Sequence, residues 1–143
     1  MAEKTKSEGF SAEEKAAMKE RAKELKASAS HEEALKDQLA KIDELDEPDR
    51  ALAKKVHEII MAAAPDLKPK TWYGMPNYNN AEGKSIVFFQ PASKFKARFS
   101  TLGFNETAAL DDGQMWPTAF AVLKIDSATE KAITALVKKA AGR

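Results

Sequence analysis

The chain has 143 residues and a mass of 15.7 kDa, the size of one compact domain, with 43% apolar and 31% charged residues. Lys plus Arg is 23 and Asp plus Glu is 22, a formal net charge of +1, which argues against a protein held to nucleic acid by bulk charge. There is no cysteine, which excludes disulfides, zinc–thiolate centres and thiol catalysis. No apolar run is long enough to span a membrane and the first residues lack a signal-peptide core, so the expectation is a cytoplasmic protein with no membrane partner.

Charge and aromatic content divide the chain. Residues 1–47 carry 9 basic and 13 acidic side chains, net −4; residues 49–143 carry 14 and 9, net +5. Every aromatic except Phe10 lies beyond residue 70. The organisation expected is a disordered tail over residues 1–9, a charged helical extension over 10–47 and a core-forming α+β domain over 48–141.

Ser11 and Glu14 are spaced as a capping box, which satisfies free amides at a helix start. Met18, Ala22, Leu25 and Ala29 follow at helical intervals, a thin and mostly alanine stripe. Ser30 and Glu33 form a second box, predicting a new helix with Leu35, Leu39, Ile42 and Leu45 on one face. Glu32–Lys36 and Asp37–Lys41 make i,i+4 pairs on its outside. Pro48 predicts a third helix, with Leu52, Val56, Ile59, Ile60 and Ala63 inward and its end at Ala64-Pro65.

From Lys70 the period changes to two. Residues 72–78 predict one irregular strand broken by Gly74 and Pro76, and 79–84 a turn. Residues 85–90 predict a buried strand. Phe95, Ala97, Phe99 and Thr101 alternate with Lys96, Arg98 and Ser100, the pattern of a half-buried strand. Residues 105–110 predict a helical turn or two, 116–125 a last strand, and Ser127 with Glu130 the cap of a final helix burying Ile133, Leu136, Val137 and Ala140. Short connections force antiparallel pairing, so the fold class is α+β: an antiparallel sheet of about four strands covered by helices on one face.

The densest chemical cluster is Trp72-Tyr73-Gly74-Met75-Pro76-Asn77-Tyr78. With Ala64-Pro65 before it, the hydrophobic run Ile86 to Phe89, the strand near Phe99 and the final helix after it, this segment resembles the signature of the YdhG-like proteins, a family catalogued as a domain of unknown function. The resemblance covers about residues 49–141 and leaves the N-terminal helices outside. Some members are described as frataxin-like intracellular iron chaperones, so the resemblance implies a small binding protein handling iron or a small ligand.

Two candidate sites follow. Trp72, Tyr73, Met75, Tyr78 and, from the last strand, Trp116 could form an aromatic ligand pocket; core and turn is the competing role for the same residues. Asp43, Glu44, Asp46, Glu47 and Asp49 put five carboxylates within seven residues, hard oxygen donors suited to weakly held iron, against the alternative of a solvated helix end.

His57 and His31 are 26 positions apart, with no metal-ligand spacing, and His57 reads as a core-edge histidine bonded to backbone. Asp111-Asp112 reads as a turn that joins a carboxylate site only if the fold brings another donor near. Lys94, Lys96 and Arg98 read as the solvent face of a strand, with an anion patch as the alternative. No serine elbow, phosphate loop or GxGxxG motif occurs, so no enzyme is expected. The competing function is an interaction module whose N-terminal helices bind a partner or self-associate.

Overall fold

The computed structural model describes residues 12–142 of the chain. The expected tail over residues 1–9 and the Ser11 cap lie outside them, as do the side chains of Leu25 and Ala29. The chain divides into two units, Met1–Glu33 and Ala34–Arg143.

Helix α1 runs unbroken from Ala12 to Asp43. The break expected at Ser30 is absent because no glycine or proline interrupts these 32 residues, and a capping box acts only where the backbone leaves the helix. Within the second unit, α1 turns Gln38 and Ile42 fully inward, one turn apart. Leu39, expected on that face, lies about 100° round the helix from Gln38 and is 40% exposed.

Helix α2 spans Asp49–Ala63. Pro48 is its cap, and the Glu47 carboxylate accepts the free Ala51 amide at 3.0 Å. Arg50 donates to the same carboxylate, and these hydrogen bonds hold its pKa below the usual value. Ala53, Val56, Ile59, Ile60 and Ala63 are buried and Leu52 half-buried. Ala64 leaves the helix with φ −143° and ψ 77°, as a residue before proline should.

The sheet is a five-stranded antiparallel meander in sequential order, one strand more than expected: β1 Lys68–Trp72, β2 Met75–Asn79, β3 Ser85–Gln90, β4 Ser100–Phe104 and β5 Ala119–Val122. The extra strand comes from the segment expected to be one irregular strand. Tyr73 (φ 51°) and Gly74 (φ 74°) form a two-residue turn with both residues left-handed, and Trp72 pairs with Met75 across it. Two positive φ values in succession match the right-handed strand twist and close a tight hairpin.

Three other boundaries differ from expectation. Ser93–Phe95 is a short 3-10 helix ended by Lys96 at φ 54°, so β4 starts only at Ser100 and Phe95 is 41% exposed. Lys94, Lys96 and Arg98 therefore do not share a strand face. Residues 105–110 form turns rather than helix, because their polar groups serve other elements. The Asn105 amide donates to Ile86 O, the Thr107 hydroxyl to Ser85 O and the Ala109 amide to Ala140 O. The last strand is four residues long, starting after Pro117, which has no amide to donate.

Helix α3 spans Ser127–Ala140, and its cap is Asp126 rather than Ser127: the Asp126 carboxylate accepts the Thr129 amide at 2.8 Å.

One core joins these elements. Tyr78, Val87, Phe89, Leu102, Phe104 and Val122 from the sheet meet Ala53, Val56 and Ile60 of α2, Ile133, Val137 and Ala140 of α3, and Ile42 of α1. Opposed residues in the register share a face, so Asn77, Phe88, Gly103 and Ala119 stand in a row on the sheet's other face.

Candidate functional site

The five residues expected to form one aromatic pocket are distributed over three places. Tyr78 is fully buried in the core, where its hydroxyl lies 2.9 Å from His57 Nδ1 on α2. The rings pack at a centroid distance of 5.7 Å. Burial pushes the phenol well above its ordinary pKa and the imidazole below its ordinary 6.5. A neutral imidazole can accept the phenol proton at Nδ1, so His57 pairs with a side chain rather than the backbone expected.

Trp72 and Met75 face each other across the first hairpin, on the face opposite Tyr78. Met75 is buried; Trp72 is 38% exposed and packs edge-on against Phe88 at 5.7 Å. Tyr73 stands at the turn, 78% exposed, its ring 5.2 Å from that of Trp72.

Trp116 belongs to a cleft formed within the single connection between β4 and β5. The cleft measures about 410 Å3. Its floor is Ala108 and Leu110, both buried. Trp116 is half-buried at its wall and Met115 is 88% exposed at its rim. Asn105, Glu106, Asp111, Gln114 and Thr118 provide the polar lining, and among the described residues no basic side chain lines it. Two carboxylates, an indole and an apolar floor can hold a small group that is apolar in body and positively charged at one end.

The loops have the shape they do because their ends are tied. Asn105 donates through Nδ2 to Ser85, whose hydroxyl donates to the Asn77 side chain; Asn77 in turn donates to Asn79 at 2.8 Å. The Phe104 amide donates to Thr118 O at 2.7 Å, closing the other side. Asp111 and Glu106 both line this cleft. Asn105, Glu106, Leu110, Gln114 and Met115 were not singled out as site residues. The available signal was a polar turn, Asp111-Asp112-Gly113-Gln114, flanked by the large apolar residues Leu110, Met115 and Trp116.

Among the described residues the five carboxylates expected as an iron ridge do not form a metal-holding group, and four of them are engaged by other partners. Asp43 pairs with Lys54 at 3.0 Å, Glu44 with Lys41 at 3.9 Å and Glu47 with Arg50 at 3.0 Å. Asp49 is buried and accepts both the amide and the hydroxyl of Ser93. Glu44, Asp46 and Asp49 line one hollow, which also takes in Lys41, Lys94 and Gly74. Among the described residues no group of three or more His, Asp or Glu side chains could hold a metal ion. The reason is that the ridge spans a helix end, a turn and a helix start, which point successive carboxylates in different directions.

No helix among the described residues is long and apolar enough to cross a membrane. A scan against protein-family models, a search of curated proteins and a search of solved structures each return no match.

Proposed function

We propose that the chain is a YdhG-like small-ligand-binding protein whose site is the Trp116 cleft, and that its ligand is a small organic cation such as an amine or guanidine. The observation that carries this reading is the cleft itself: its volume falls in the range of small-molecule sites, Glu106, Asp111 and Trp116 line it, and among the described residues no basic side chain does. The YdhG-like assignment rests on the Trp72–Tyr78 motif and its flanking elements. Iron is the weaker ligand, because four of the five ridge carboxylates already have basic or hydrogen-bonding partners.

The test is titration of the Trp72→Phe variant, in which Trp116 is the single remaining indole, with aliphatic amines and guanidines while its fluorescence is followed. Saturable change that is weakened at least tenfold by Asp111→Asn supports the cleft. Saturable binding of neutral analogues with equal affinity, or no response at millimolar ligand, refutes the cationic assignment.

A further inference from the structure

We propose that the sheet face opposite the core binds single-stranded nucleic acid, with Trp72 and Phe88 as stacking surfaces and Lys68 and Lys70 as backbone contacts. The +1 charge of the whole chain hides a surplus along the sequence: between Lys68 and Phe104 there are six basic residues and one acidic residue, net +5, and of the six Lys68 and Lys70 stand on this face. This interval is β1 to β4.

Lys68, Lys70 and Trp72 alternate along β1, are all exposed and therefore share one face. The register carries that face across the sheet as the row Lys70, Asn77, Phe88, Gly103, Ala119. Lys70 thus lies two strand spacings from Phe88, about 10 Å. A Cβ at Gly103 would fall 2.3 Å from Phe88 Cζ, so glycine is what lets the ring lean over the sheet. Beyond it Ala119 and Ala121 are exposed and small, leaving a flat floor beside the ring. Among the described residues Lys68 and Lys70 enter no ion pair.

On this face Met75, Asn77 and Gly103 are buried, Phe88 is half-buried, and Lys68, Lys70, Trp72, Ala119 and Ala121 are exposed. Accessible aromatic rings with unpaired lysines beside them suit a flexible polyanion with exposed π faces. A duplex hides its bases and offers such a surface only phosphates. At the hairpin tip the hollow lined by Lys41, Glu44, Asp46, Asp49 and Lys94 carries charges of both signs. The path available to a strand runs from Trp72 over Phe88 toward β5.

The test uses the full chain and fluorescein-labelled oligo(dT) and oligo(U) of about ten nucleotides, a length within single-domain site sizes, read by anisotropy. Saturable binding is expected, with affinity falling as salt rises and a log–log slope of about −1.4 for two phosphate contacts. In the Trp116→Phe variant the remaining indole, Trp72, should be quenched by the oligonucleotide. Trp72→Ala should weaken binding about 5- to 150-fold, the loss of one stacked base. Lys68→Glu with Lys70→Glu should weaken it further and flatten the salt slope. The lysine pair is exposed and decides the matter if Trp72→Ala fails to fold. Equal affinity for duplex of the same length, wild-type affinity in the folded variants, no anisotropy change at low salt, or self-association lost in Trp72→Ala without oligonucleotide binding would each overturn the proposal.

Discussion

Ile60→Ala tests whether α2 builds the core as described. Ile60 is 0% exposed and sits among Val56, Ile59 and Ala63 on the helix and the sheet residues of the same cluster. The substitution removes three buried carbons, about 2.4 kcal/mol at ~0.8 kcal/mol for each. The space left behind adds a cavity cost, because two packed helices and a sheet cannot fully collapse into it, bringing the loss to about 3–4 kcal/mol within the usual range for such changes. Ala62→Gln, on the exposed side of the same helix, should change stability by less than about 0.5 kcal/mol. Urea unfolding followed by circular dichroism gives both values, with an unchanged slope showing that the unfolded state is not altered. An Ile60→Ala loss below half a kilocalorie per mole would place this helix face outside the core and refute the packing.

Two further perturbations probe buried polar groups. Burial keeps the His57 pKa below 6.5, so the unfolded state binds the extra proton first; stability should fall as pH drops below 6.5 toward the lower folded value, and His57→Gln should remove that part of the slope in parallel urea titrations between pH 5 and 7. Asp49→Ala strips the Ser93 amide and hydroxyl of their acceptor and should cost about 1–3 kcal/mol, with faster hydrogen exchange at the Ser93 amide; unchanged exchange there would mean the contact does not hold the loop after β3.

What could be read from the sequence was periodicity. The α2 face of Val56, Ile59, Ile60 and Ala63 and the buried β3 run were legible because apolar spacing follows directly from helix and strand geometry. Backbone conformation was less legible. Tyr73 at positive φ is an uncommon choice for a bulky residue, so the Tyr73-Gly74 turn looked like a flaw in one strand instead of a hairpin. Lys96 repeats the problem: its left-handed φ ends the 3-10 helix and cancels an alternation that otherwise looked like strand. The aromatic pocket failed for a third reason. Residues three apart in a two-residue hairpin, such as Trp72 and Met75, are directly opposed, whereas Tyr78 falls on the other face by parity. The cleft depended on loops whose shape is set by hydrogen bonds to distant strands, such as Asn105 to Ser85, and spacing carries no record of those.

Truncation separates two placements of the domain start. The sequence reading sets the boundary at residue 48, where the family resemblance begins. The core sets it earlier: Ile42 is 1% exposed within the cluster that holds Val56 and Ile60, and Gln38, also buried, donates through Nε2 to Asn77 O at 3.0 Å. A chain starting at Ala34 keeps both residues and the whole second unit, so it should unfold cooperatively in urea and retain protected amides in β2 and β3. A chain starting at Pro48 loses Ile42 burial, about 2–3 kcal/mol, together with the buried hydrogen bond from Gln38, about 1 kcal/mol net. The total of about 3–4 kcal/mol is a large share of a small domain's stability. The shorter chain should therefore show a much lower urea midpoint or fail to fold. Equal midpoints for the two truncations would show that the last ten residues of α1 contribute nothing to the core and that the boundary belongs at Pro48.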